Sequence, residues 1–125
     1  MRTSIEMGKP NKVKHDKSWV TLDDQQFIEK ILRSMGDDDK KNIITCVIPE
    51  LRTISDIIKI TQIPQTSGYR KINALIDDGL LVPLGYSTNS DGKKITQYGA
   101  IFDDIHITLE KNKVVVSAHM QQPIK

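Results

Sequence analysis

ISDIIKITQIPQTSGYRKINALIDDGLLV, residues 54–82, carries two runs of helical hydrophobic spacing on either side of a short polar break. Thr53 precedes it, and Asp56 follows three residues on, the capping-box arrangement that opens a helix. Ile54, Ile57 and Ile58 then point inward from barely two turns. Thr61 to Pro64 form the connection, and a second helix starts near Pro64 or Thr66. Gly79 stands where a glycine ends a helix. Within this second helix Gly68, Ile72, Leu75 and Ile76 recur at helical spacing and are expected to face a core. Two short amphipathic helices joined tightly make a helix-turn-helix, which presents the start of its second helix to the outside.

On the C-terminal side the period becomes extended. Leu80 to Tyr86 read as a strand, with Pro83 arguing for an edge or an irregular start. Ser87 to Gly92 are all turn formers, and Lys93 to Phe102 return as the partner strand. Three helices followed by such a hairpin form a winged helix, with the wing tip at Asn89 to Gly92. A second hairpin follows, and its register can be derived. With Lys111-Asn112 as a two-residue turn, Leu109 faces Val114, Ile107 faces Val116, Ile105 faces Ala118 and Glu110 pairs with Lys113. A slip of one residue would destroy that apolar match.

On the N-terminal side, Asp38 and Asp39 place negative charge in the first turn of a helix whose buried stripe is Ile43, Ile44, Val47 and Ile48; Pro49 stops it. Before it, Thr21 with Asp24 reads as a capping box, and Phe27, Ile28, Ile31, Leu32 and Met35 give an extra helix over about 22–35 that ends at Gly36. Residues 1–18 show no apolar period and read as a flexible basic arm. The expected architecture is therefore α+β: a winged-helix core over about 37–100, an added N-terminal helix, and a C-terminal hairpin over about 101–120. Residues 19–125 form one domain, in keeping with a 125-residue chain.

Charge is distributed unevenly although the net value is only +2. Arg2, Lys9, Lys12, Lys14 and Lys17 outweigh Glu6 and Asp16 in the arm. Residues 21–51 hold seven acids against four bases, and the remainder nine bases against seven acids. Such a distribution suits contact with a polyanion through selected surfaces, or a solvated tail. The single cysteine, Cys46, excludes an internal disulfide and fits a reducing compartment. No apolar run approaches a membrane span or a signal core, so a cytoplasmic protein without membrane contact is expected.

The polar flank of the second helix carries the candidate chemistry: Thr66, Tyr69, Arg70 and Asn73, with Gln65, Ser67 and Lys71 beside them. Arg70 suits guanine or phosphate, Asn73 suits adenine, and Thr66, Ser67 and Tyr69 suit phosphate oxygens. Lys93 and Lys94 on the wing suit the backbone or the minor-groove edge, though edge-strand lysines also discourage aggregation. The plain alternative for the helix flank is a polar face that merely meets water. Cys46 reads as a small core residue. His106, His119 and Asp104 are close in the derived register but form an incomplete ligand set. With no phosphate loop, triad or supported carboxylate pair, neither an enzyme, a metal nor a cofactor is expected.

Residues 63–81 resemble the recognition helix of archaeal winged-helix transcriptional regulators of the arsenic-repressor (ArsR-like) group. Their usual pattern is an Ile or Val, a Ser/Thr pair, Tyr-Arg, a spaced Leu and a Gly-Leu-Leu/Val ending. The match extends with lower specificity over roughly 37–120. The resemblance implies sequence-specific binding of double-stranded DNA, commonly as a homodimer. By position it implies that Thr66, Ser67, Tyr69, Arg70 and Lys71 contact DNA, with Lys93 and Lys94 on the wing. This chain lacks the paired cysteines of metal-sensing members. It also has Gly68 where a small apolar residue is usual, which weakens the helix by about 1 kcal/mol relative to alanine and permits close packing. A winged helix that binds protein within a transcription or assembly complex is the alternative.

Overall fold

Residues 19–120 are described by the computed structural model; the arm 1–18, with Lys9, Lys12, Lys14 and Lys17, and the tail 121–125 lie outside the described residues. The elements are β1 (Trp19–Thr21), α1 (Gln25–Met35), α2 (Asp38–Val47), α3 (Ile54–Thr61), α4 (Gln65–Asp77), β2 (Leu81–Thr88), β3 (Lys94–Ala100), β4 (Phe102–Glu110) and β5 (Lys113–Met120). The class is α+β. All strand pairs are antiparallel, in a three-stranded sheet ordered β1-β5-β4 and a two-stranded sheet β2-β3.

Helix starts follow the side-chain chemistry of their caps. The Asp37 carboxylate accepts from the Lys40 amide at 3.0 Å to open α2, and the Thr53 hydroxyl accepts from the Asp56 amide at 3.1 Å to open α3. For α1 the expected cap is displaced. Asp24 caps it, accepting from the Gln26 and Phe27 amides, and the helix begins at 25 rather than about 22. Thr21 instead lies in β1, where Trp19, Val20 and Thr21 pair with His119, Ala118 and Ser117 of β5. Three residues are too few to register as a period, so this strand left no signal in the sequence. Gly36 follows α1 with a right-handed backbone, so its position does not require glycine. Gly79 does: at φ +81° it ends α4 in the left-handed region, and its amide donates to the Ile76 carbonyl.

The β4–β5 hairpin has the derived register throughout: Ile105↔Ala118, Ile107↔Val116, Leu109↔Val114 and Glu110↔Lys113. A bulge between Phe102 and Asp104 offsets its root. The β2–β3 hairpin runs longer on its first strand than Leu80 to Tyr86 and shorter on its second than Lys93 to Phe102. Phe102 already belongs to β4, and Pro83 sits at an irregularity in the ladder. A link absent from the sequence reading ties this hairpin to the helices. The backbones of Arg52 and Tyr98 exchange two hydrogen bonds, at 3.0 and 2.7 Å, just before α3.

One core serves all the layers. Ile28 and Ile31 of α1, Ile43, Ile44 and Val47 of α2, Ile57 of α3 and Ile72 and Leu75 of α4 pack with Leu80, Leu81, Ala100, Phe102, Val116 and Ala118. No helix among the described residues is long and apolar enough to cross a membrane.

Candidate nucleic-acid interface

The orientation of α4 follows from its inner face. Gly68, Ile72 and Leu75 are buried, which turns Thr66, Tyr69, Arg70 and Asn73 to the opposite, exposed side, with Gln65 exposed in the first turn. Gly68 sets how closely α4 approaches α3. A Cβ at this position would overlap the δ-methyl of Ile58 and lie 3.6 Å from Cγ2 of Ile63. Here the missing side chain lets two helices approach, against the propensity lost by placing glycine in a helix.

The start of α4 lacks a side-chain cap, because Pro64 occupies the cap position and has no side-chain acceptor. Amides of the first turn are therefore left to other partners, the arrangement that favours an anion. Ser67 is half-buried, and its hydroxyl donates to the Pro64 carbonyl at 3.2 Å, so it braces the turn. Gln65, Thr66, Tyr69, Arg70 and Asn73 make no side-chain hydrogen bond or ion pair among the described residues, so the flank is uncommitted. It carries one guanidinium, two carboxamides and two hydroxyls.

Lys71 is placed differently from the expectation of a DNA contact. Its ammonium lies 2.9 Å from Asp39 and 3.2 Å from Asp37, and its side chain is 18% exposed. Its hydrogen bonds to Asp39 and then Asp37 raise its pKa above the ordinary 10.5. The Lys40 amide, followed by Lys71, lowers that of Asp37 below 3.8 against the opposing effect of desolvation. Lys71 thus fastens α4 to the start of α2, and its charge is already balanced. The sequence pattern could not show this, since the partners lie 32 and 34 residues away.

The turn of the β2–β3 hairpin is built by Asn89, whose carboxamide oxygen accepts from the Asp91 and Lys93 amides, both at 2.9 Å. Gly92 completes it at φ +81°. Lys93 and Lys94 are both exposed beside this tip. The ammonium of Lys94 sits 4.6 Å from the ring centre of Tyr86, an exposed side chain that the sequence reading had passed over. Tyr86 and Lys94 lie diagonally, two pairs apart on facing strands and on the same face, so the hairpin register was the signal that could have found the contact.

Elsewhere the chemistry is structural. The Cys46 thiol is half-buried, donates to the Ile43 carbonyl and has its pKa raised by desolvation, which disfavours the reactive thiolate. His119 Nδ1 lies 2.6 Å from a carboxylate oxygen of Asp103, not of the Asp104 that faces it in register, because the bulge brings Asp103 round. Trp19 packs with tilted ring planes against both His106 and His119, at 4.5 and 5.4 Å between ring centres. Among the described residues no three His, Cys, Asp or Glu side chains are placed to hold a metal ion. No family model, curated protein or solved structure matches the chain.

Proposed function

We propose that this chain is a winged-helix DNA-binding regulator that acts as a homodimer, with α4 entering the major groove of double-stranded DNA. The β2–β3 hairpin is its wing and lies on the phosphate backbone or the minor-groove edge. The single observation that carries this reading is the uncommitted flank of α4, where Arg70 makes no ion pair among the described residues although Lys71, its neighbour in sequence, is paired with both Asp37 and Asp39. In this reading Arg70 and Asn73 read base edges, Gln65, Thr66 and Tyr69 hold phosphate or flanking positions, and Ser67 shapes the helix start. Lys93 and Lys94 add salt-sensitive affinity. Lys71 acts at one remove, by fixing the pose of α4.

The test is a gel shift with random genomic fragments at two salt concentrations, followed by the same measurement on Arg70→Ala. Sequence-selective binding in the native chain and a loss of roughly 1–3 kcal/mol in the variant are expected, with an unchanged circular-dichroism spectrum. Binding that stays weak and unselective would instead favour a protein-binding winged helix. The exposure of Ile60 on α3 and of Tyr69 on α4 gives that second reading its footing.

A further inference from the structure

The three-stranded sheet is only half covered. On one face Val116, Ala118 and Phe102 reach the core, but towards the turn the same face stands free: Ile107 is 45% exposed, Val114 40% and Leu109 71%. These residues alternate along β4 and β5 and pair across them, so they form one patch. β4 is also an edge strand, with β5 as its partner on one side and no strand on the other among the described residues. Natural edges are protected by charged side chains, proline or a bulge. Along β4 the bulge and the acids Asp103 and Asp104 lie at its root and Glu110 lies at its turn, so Ile105 to Leu109 carry none of these.

We propose that the occupant of this edge is a second copy of the chain, β4 pairing antiparallel with the partner's β4 about a two-fold axis at Thr108. This deepens the dimer reading above by naming its surface, and it does not depend on DNA binding. An isologous contact must be self-complementary, so the register can be derived from charge and polarity. Centred on Thr108, Ile107 faces the partner's Leu109 on the apolar side, twice by symmetry. On the polar side Thr108 faces the partner's Thr108, and His106 faces the partner's Glu110. Shifting the centre to Ile107 sets Asp104 against the partner's Glu110, and shifting it to His106 sets Leu109 against the partner's Asp103. Like charges or an apolar–acid pair disfavour both alternatives. The two sheets then join into one of six strands, and the most exposed leucine gains an isoleucine neighbour.

Sedimentation equilibrium of the full chain is expected to give twice the 14.2 kDa chain mass. Leu109→Lys places an ammonium in each apolar pair and is expected to weaken self-association by roughly 100-fold with the spectrum of the fold intact, since Leu109 is largely solvent-facing. In a Cys46→Ala background, mild oxidation is expected to cross-link Thr108→Cys across the axis, because that residue faces itself, and to leave Ile107→Cys monomeric on denaturing gels. A chain that is monomeric at high micromolar concentration overturns the proposal and leaves residues 1–18 as the candidate cover. A dimer that tolerates Leu109→Lys and does not cross-link at 108 also overturns it and moves the interface elsewhere, α1 included. Absence of selective DNA binding with the dimer intact refutes the DNA-binding reading and leaves this surface standing.

Discussion

Asp37 caps α2 with one carboxylate oxygen, and the same oxygen receives the ammonium of Lys71. Its two roles separate by pH. Because its folded pKa lies below 3.8, its contribution to stability is complete above that value and disappears as pH falls through the lowered one. Lys71 has its pKa raised above 10.5, so its contribution is complete below that value and disappears as pH rises through the raised one. Asp37→Asn keeps a capping side chain and removes the charge. Urea midpoints measured across pH are expected to differ from the native chain by a constant amount between 3.8 and 10.5 and to converge at acid pH. An unchanged acid limb in the variant would rule out this linkage. Ser34 is 1% exposed on the inner side of α1, and its hydroxyl has no hydrogen-bond partner among the described residues. Alanine there removes a buried unpaired group and adds helix propensity, so Ser34→Ala is expected to stabilise by about 1 kcal/mol, or roughly 4 °C in Tm for a domain of this size. A lowered Tm would mean that the hydroxyl has a partner after all. Neither role is visible from residue type: an aspartate before a helix announces a cap, but nothing in the sequence places Lys71 against it.

The β2–β3 hairpin gives the element-scale test of the DNA reading. Each phosphate contact releases condensed counterions, so the slope of log affinity against log salt counts the lysines engaged. Removing Lys93 and Lys94 together is expected to reduce that slope by roughly 2 while leaving sequence preference in place. If only Lys93 counts, because Lys94 stays over Tyr86, the reduction is nearer 1 by the same rule. A slope that does not move would detach the hairpin from DNA altogether. Elements were legible where a period or a turn residue fixed them. The register of β4–β5 follows from apolar alternation around Lys111-Asn112, the inner face of α4 from the spacing of Gly68, Ile72 and Leu75, and the caps at Thr53 and Gly79 from their chemistry. What was not legible depends on chain-distant pairing. β1 is three residues long and exists because β5 offers it an edge 96 residues later, between Thr21 and Ser117. Its pairing also explains why the capping signal at Thr21 gave way to Asp24, since the Thr21 hydroxyl lies 3.3 Å from that of Ser117 and three residues before the position that caps α1. The Arg52–Tyr98 bridge is of the same kind: one pair of backbone hydrogen bonds has no side-chain signature.

At the scale of the whole molecule, a net charge of +2 makes a single copy a weak polyelectrolyte ligand, and affinity for DNA must be assembled from more than one contact surface. Two copies joined at β4 would do this by geometry. On the DNA-binding reading a two-fold axis at Thr108 would relate the α4 helices of the pair, and such pairs generally read inverted half-sites one helical turn apart, roughly 34 Å, or a multiple of it. Binding of the second helix is then intramolecular, which raises affinity over a single half-site by roughly 10²–10⁴ without any new contact. Leu109→Lys separates the two terms, since it lies on the hairpin and leaves the flank of α4 untouched. Fluorescence anisotropy is expected to show the variant binding a one-half-site duplex as the native chain does, with the loss confined to the two-half-site duplex. Inserting half a helical turn between the half-sites should penalise the native chain and leave the variant indifferent, because only a linked pair senses spacing. Equal binding of the two-half-site duplex by both proteins would show that the copies act independently on DNA, whatever holds them together in solution.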